Sequence, residues 1–215
     1  MKKHIGILGK SILESIKSIL ERMILMIQKP SLDFLTNSWF VADYHFGDDG
    51  IRKTFHRPFK DKAEMRKVLI ENTLKIVPKG NNLFFLGDFG SDLTPLSELL
   101  LHCNVFFILG NHDNVALLQC ASDDWYHSAI ASDLYSFEYS KYPIMLGNLW
   151  LSHEPILVMQ PECPYLNIHG HIHNDIFGNQ GTWNEGRRRF NVSVEAINYK
   201  PISYYEIGMQ IQYHL

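Results

Sequence analysis

The chain is 215 residues long, enough for one domain with an ordinary buried core. Apolar residues at 46% and charged residues at 20% exclude a disordered chain. A formal net charge of -3 argues against a protein that holds nucleic acid by bulk electrostatics, although a nucleic-acid substrate bound locally stays open.

At the N-terminus, Lys2 and Lys3 precede an apolar patch, but Glu14, Lys17, Glu21 and Arg22 break up the stretch beyond it. No run reaches the roughly 18 apolar residues of a membrane span, and no small-residue cleavage site is evident. With Cys103, Cys120 and Cys163 forming no C-x-x-C pair, reduced thiols in a cytoplasmic protein are the simplest expectation. Residues 11–28 carry Ile12, Leu13, Ile16, Ile19, Leu20, Met23, Ile24 and Ile27 at the spacing of an amphipathic helix, with Ser11 as N-cap and Pro30 as stop. Such a helix packs on its own domain or on a second copy, which opens a route to a homo-oligomer; a membrane-surface helix is the weaker reading, because its polar face mixes Glu with Lys and Arg.

From Trp39 the pattern changes. Trp39-Phe40-Val41-Ala42 is an apolar run ending in Asp43. The same form recurs at Leu83–Leu86, ending in Gly87-Asp88, and at Val105–Leu109, ending in Gly110-Asn111-His112-Asp113. A helix of about Lys62 to Ile76, closed by Pro78 and Gly80, separates the first two, and a shorter one at Leu96–Leu101 separates the next. This alternation predicts an α/β fold with parallel strands covered on both faces. Ligands of such sheets sit beyond the carboxyl ends of the strands, where the polar clusters fall here. Further strands are expected at Leu134–Tyr139, Pro143–Leu146, Leu149–His153 after a Gly147-Asn148 turn, Leu166–Ile168, Phe190–Val194 and Ser203–Ile207.

The strand ends carry metal-ligand chemistry. Asp43-x-His45 offers an oxygen and a nitrogen ligand, Asp88 a carboxylate, and Asn111 a neutral amide oxygen. His153 offers an imidazole, and Gly170-His171-x-His173 offers two. Imidazole with carboxylate suits Mn, Fe, Ni or Zn better than Ca. Each motif alone is common, but five of them in order, each at a predicted strand end, form a joint pattern that chance does not supply.

The order D-x-H, G-D, G-N-H-D, H, G-H-x-H resembles the calcineurin-like metallophosphoesterase superfamily. Phe40–Gly47, Arg57-Pro58-Phe59, Ser152–Pro155, Asn191–Val194 and Tyr199–Ser203 are similar to a small bacterial and phage branch of it. The resemblance runs from about Trp39 to the C-terminus, so residues 1–37 read as an N-terminal helical extension and 38–215 as the catalytic domain. It implies a four-layer α-β-β-α sandwich with a dinuclear site at the strand ends. One divalent metal would lie on Asp43, His45, Asp88 and His173, the other on Asp88, Asn111, His153 and His171, with Asp88 bridging. Manganese is the first expectation, with Fe, Ni, Zn or Mg also compatible. The implied reaction is attack of a metal-bridging hydroxide on a phosphomonoester or phosphodiester, with His112 assisting the leaving group and Asp113 orienting it. The substrate would be a small phosphoester or nucleotide-type molecule, nucleic acid being less favoured. The alternative is a non-catalytic scaffold of the same fold; retention of every ligand and of His112 speaks against it.

In the close branch a His usually follows His45-Phe46-Gly47, where this chain has Asp48 and Asp49, so substrate contacts rather than metal binding are in question there. Arg57 is expected either to contact substrate phosphate or to hold local structure. His169 reads as a core histidine or one behind a ligand. Arg187-Arg188-Arg189 reads as a solvated turn before a strand more than as a phosphate strip, and the basic stretch from Arg52 to Lys67 as the wet face of a helix.

Overall fold

The computed structural model describes residues 30–114, 137–156, 163–174, 183–184, 186 and 188–212. The expected helix at 11–28, the start of the 134–139 strand, and Arg187 lie outside the described residues.

Two five-stranded sheets form the framework. The first contains β1 (Ser38–Val41), β2 (Asn82–Phe85), β3 (Asn104–Ile108) and β4 (Phe137–Ser140), all parallel, with β10 (Ile202–Ser203) antiparallel on the outer edge of β1. The second contains β6 (Leu149–Ser152), β7 (Leu166–His169) and β9 (Arg189–Asn191) in parallel, edged by the antiparallel strands β5 (Ile144–Leu146) and β8 (Trp183–Asn184). Five helices accompany them among the described residues: α1 (Leu32–Thr36), α2 (Asp49–Thr54), α3 (Lys62–Ile76), α4 (Leu96–Leu100) and α5 (Tyr204–Gln212). The mixed α/β architecture agrees with the sandwich expected from the sequence.

The apolar runs fill both faces of the first sheet, as strands inside a parallel sheet must. Adjacent residues point to opposite faces, so Phe84 and Phe85 begin two separate stacks. Phe40, Phe84 and Phe106 stack on one face, with Phe34 of α1 edge-on to the last two. Phe85 and Phe107 stack on the other, beside Phe89 and Tyr44, and the Tyr44 hydroxyl bonds Thr73 of α3. Each such ring pair contributes about 0.5–1.5 kcal/mol beyond its buried area. Phe34 and Leu35, which lie in the stretch expected to precede the domain, therefore pack against its core.

α3 spans the predicted residues, started by the Asp61 carboxylate on the N–H groups of Ala63 and Glu64. Gly147 adopts φ +64° in the two-residue turn that pairs Leu146 with Leu149. One element departs from expectation: Ser203–Ile207 is not a strand, because β10 ends at Ser203 and α5 begins at Tyr204. The cause is a capping box. Glu206 accepts from the N–H and hydroxyl of Ser203 at 2.8 and 2.7 Å, and the Glu206 N–H returns to the Ser203 hydroxyl at 3.2 Å.

Register then fixes the site. Val41, Phe85 and Phe107 are neighbours across β1, β2 and β3, so the segments carrying Asp43, Asp88 and Asn111 leave the sheet side by side. Ser152 pairs with His169, which does the same for His153 and His171. The sheets meet there: Ala42 pairs with Ser193, and the His171 N–H donates to the Asp43 carboxylate at 2.9 Å. No helix among the described residues is long and apolar enough to cross a membrane.

Candidate metal centre

Five of the expected ligands hold left-handed backbone: Asp43 (φ 65°), His45 (54°), Asp88 (57°), His171 (71°) and His173 (48°). A non-glycine residue at positive φ is uncommon and costs about 1–3 kcal/mol, and such strain gathers at functional sites. Here it has a visible purpose. The turn at each strand end directs alternate side chains inward, so that Asp43 and His45 face the site while Tyr44 between them is buried in the core. Two glycines make room for the carboxylates. A Cβ at Gly110 would strike the Asp88 carboxylate, and one at Gly170 would lie 2.7 Å from Asp43 Oδ2.

The donor atoms converge. Those of Asp43, His45 and His173 lie within 4.8 Å of one another, as do those of Asp43, Asp88 and His153. Asp43 is common to both groups, and Asp88 Oδ2 of the second reaches toward the first, 3.4 Å from His45 Nε2 and 3.4 Å from His153 Nε2. Asn111 Oδ1 lies 2.9 Å from His153 Nε2 and 3.0 Å from His171 Nδ1, and those two nitrogens are 3.2 Å apart. All seven expected ligands are thus brought together.

Two features test whether a cation fits. His45 Nε2 is buried and has no hydrogen-bond partner among the described residues, a costly state for a polar atom unless something charged meets it. The second concerns His153. Its Nδ1 lies 2.9 Å from the Leu86 carbonyl, which can only accept, so that nitrogen carries the proton. The lone pair of a neutral ring would then point from Nε2 at the oxygen of Asn111. Acceptors aimed at acceptors need a positive charge between them. A proton is one such charge; a divalent ion on oxygen and imidazole ligands is another, and the donor set suits it.

Protonation follows the same geometry. Burial works against His153 carrying charge, but its bond to Asp88 and the charges of Asp43 and Asp88 raise its pKa to about 9. Burial also opposes the Asp88 carboxylate, yet His153 and the N–H of His112 bring it down to about 2. Burial dominates at Asp43, raised to about 6, and at His45, lowered to about 3.

The two remaining expected site residues divide. His112 lies exposed at the rim, its ring centroid 5.0 Å from that of His45, and its N–H donates to Asp88 Oδ1 at 2.8 Å. Among the described residues no hydrogen bond joins the Asp113 carboxylate to the His112 ring. Its carboxylate accepts from the backbone N–H groups of Asp88 (2.8 Å), Gly110 (2.8 Å) and Gly90 (3.2 Å), tying together the turns that carry the ligands.

Arg57 is not free to bind substrate, which corrects that expectation. Its side chain is fully buried and its donors are used up on Glu195 and on the carbonyls of Asp43 and Tyr44. Asp48 and Asp49, the departure from the close branch, act locally. Asp48 caps α2 through Gly50 and Ile51, and Asp49 pairs with Arg52 and Lys53. His169 is a core histidine, bonded to the Gly170 carbonyl and lowered to about 4 by burial. Arg188 donates to the Tyr165 carbonyl, and Arg189 is buried.

Sequence reasoning missed Glu195. It is buried, with Oε1 3.0 Å from His173 Nδ1 and 2.7 Å from Arg57. The signal existed: Glu195 directly follows the predicted strand Phe190–Val194, as Asp43 and Asp88 follow theirs at close distance. Phe55, stacked on the His173 ring at 4.0 Å, carried no such signal.

Strand-end carboxylates and imidazoles converge in this order on a two-sheet α/β frame, a donor set that could hold divalent cations. Residues 37–205 match the profile of the calcineurin-like phosphoesterases, and the chain belongs to that family, whose chemistry is metal-dependent hydrolysis of phosphoesters. It is 32% identical over 176 residues to an uncharacterised protein of Methanocaldococcus jannaschii, covering 77% of this chain and 85% of that one. It is also similar to the crystal structure of a protein of unknown function from Aquifex aeolicus, with a TM-score of 0.55 and 25% identity over 80% of this chain and 98% of that chain.

Proposed function

We propose that the chain hydrolyses a phosphomonoester or phosphodiester at a dinuclear centre. One ion would be held by Asp43, His45, Asp88 and His173, the other by Asp88, Asn111, His153 and His171. The observation that carries this reading is Asp88 Oδ2 equidistant from His45 and His153, where one carboxylate oxygen can serve both clusters. Two bound cations, Mn first among the candidates, would supply Lewis acidity that lowers the pKa of water and neutralises the phosphoryl oxygens.

The protein's own groups do the rest. Buried His45 stays neutral and keeps a lone pair ready. Leu86 fixes the His153 tautomer so that Nε2 faces the site, and Glu195 does the same for His173. His112, exposed beside His45, is placed to give a proton to a departing oxygen. Asp113 holds the loop bearing His112 through backbone donors. The Asn111–His112 rim is open, so the substrate's leaving group can extend into solvent. We read residues 38–215 as the catalytic domain, with α1 as the part of the preceding stretch that packs on it.

The test is to strip the full chain with a chelator and reload it with Mn, Fe, Ni, Zn or Mg. Each form is then assayed on p-nitrophenyl phosphate and bis-p-nitrophenyl phosphate. Metal-dependent hydrolysis of one or both is expected. Tight binding of two ions with no hydrolysis of any phosphoester would leave a scaffold instead.

A further inference from the structure

We infer that Glu195, braced by Arg57, is a positioning residue that sets the affinity of one metal position and leaves the other untouched. The inference rests on the two-metal reading above and goes beyond it by making the centre asymmetric.

The Arg57–Glu195 pair is fully buried, both side chains at 0% exposure. Arg57 donates from Nη2 to the Asp43 carbonyl at 2.6 Å and from Nη1 to the Tyr44 carbonyl at 2.9 Å. One guanidinium thereby pins the strained turn that presents Asp43 and His45. Its partner carboxylate reaches the third member of that cluster: Glu195 Oε1 accepts from Arg57 at 2.7 Å and lies 3.0 Å from His173 Nδ1. Phe55 stacks on the face of the His173 ring. Every donor of the Asp43–His45–His173 cluster is therefore referred to one ion pair.

No buried ion pair behind the ligands holds the other cluster among the described residues: the Asp113 carboxylate accepts only from backbone N–H groups of its turns and reaches neither imidazole by a hydrogen bond. His153 is fixed by a neutral carbonyl, that of Leu86, while His171 is half-buried and Asn111 exposed. Burying an ion pair is expensive, and apolar residues of the same volume often stabilise as well or better. The pair is better explained by what it orients than by what it stabilises. A carboxylate behind a ligating imidazole fixes its tautomer and raises its basicity, and loss of such a partner typically weakens metal binding about 10–100-fold. Both strong contacts of Glu195 run through Oε1, while Oε2 has no hydrogen-bond partner among the described residues. The carboxylate is thus committed to Arg57 and His173 rather than to satisfying itself.

The experiment titrates chelator-stripped full chain with Mn2+, following stoichiometry and affinity by calorimetry and ion–ion coupling by electron paramagnetic resonance. Wild type is expected to take two ions and give an exchange-coupled spectrum. Glu195→Gln is expected to weaken one ion about 10–100-fold. At one equivalent it should then show an uncoupled mononuclear signal, with the remaining affinity as in wild type. Equal weakening of both ions, or wild-type binding of both, overturns the inference while leaving the two-metal reading intact. A wild-type chain that takes fewer than two ions removes that reading itself. Should Glu195→Gln fail to hold the native fold by circular dichroism, Glu195→Asp is judged by the same criterion. It keeps the buried charge beside Arg57 and draws the carboxylate back from His173.

Discussion

The two halves of the proposed metal centre are built by different means. Asp43, His45 and His173 are buried and tied to a buried ion pair; Asn111 and His171 lie nearer the surface and are steadied by one another and by His153. In the proposed centre the first half would be prearranged, so that a cation would find its donors already placed. The second half would meet solvent, where a substrate would enter. Such a site would keep its precision on the inner side and its access on the outer side, with Asp88 serving both.

The largest expected effect comes from removing what the halves share. Asp88→Ala should lower kcat by about 10³-fold, the upper range for loss of one electrostatic group in an active site, and should abolish the coupled Mn2+ signal. Residual turnover near wild type would break the comparison at its centre. His112→Ala removes no expected ligand from either half. It should cost about 10²-fold or more in kcat, the ordinary worth of a general acid, with metal stoichiometry unchanged. Arg57→Met strikes only the inner half. It strands Glu195 in the core, so denaturant unfolding of the metal-free chain should show a loss of about 3–5 kcal/mol. His171→Ala strikes only the outer half. It should leave stability within about 1 kcal/mol, as for most exposed positions, while removing one ion.

Protonation separates the halves further. His45, lowered to about 3, is neutral at any ordinary pH and binds without releasing a proton. His153, raised to about 9, is protonated at neutral pH and must lose its proton to ligate. Its raised value means that its protonation stabilises the metal-free fold fully below the unfolded value of roughly 6.5. That contribution fades as pH rises through about 9. Filling the outer position at pH 7.5 should release about one proton, seen as a dependence of binding heat on buffer ionisation enthalpy, and affinity should rise with pH up to that value. Binding heats independent of buffer would contradict this assignment.

The strand ends were legible in the sequence because their signal is local: an apolar run followed, in three of five cases after a glycine, by a carboxylate, amide or imidazole. α3 was legible from local signals too, with Pro78 and Gly80 marking its close. The Ser203–Glu206 capping box was equally local, but its Tyr204-Tyr205 core imitates a strand, and the hydrogen bonds that decide for helix are seen only in three dimensions. Arg57 and Glu195 are 138 positions apart, and no local pattern pairs them. The same holds for Asp113, whose bonds to the N–H groups of Asp88, Gly90 and Gly110 no local pattern foretells.

The most direct measurement adds Mn2+ stepwise to stripped protein while following hydrolysis of bis-p-nitrophenyl phosphate and p-nitrophenyl phosphate alongside the resonance signal. A dinuclear phosphoesterase predicts no turnover in the stripped chain, little at one equivalent, and a rise that tracks the coupled signal as the second ion binds. Full turnover at one equivalent, or turnover without added metal, would contradict it.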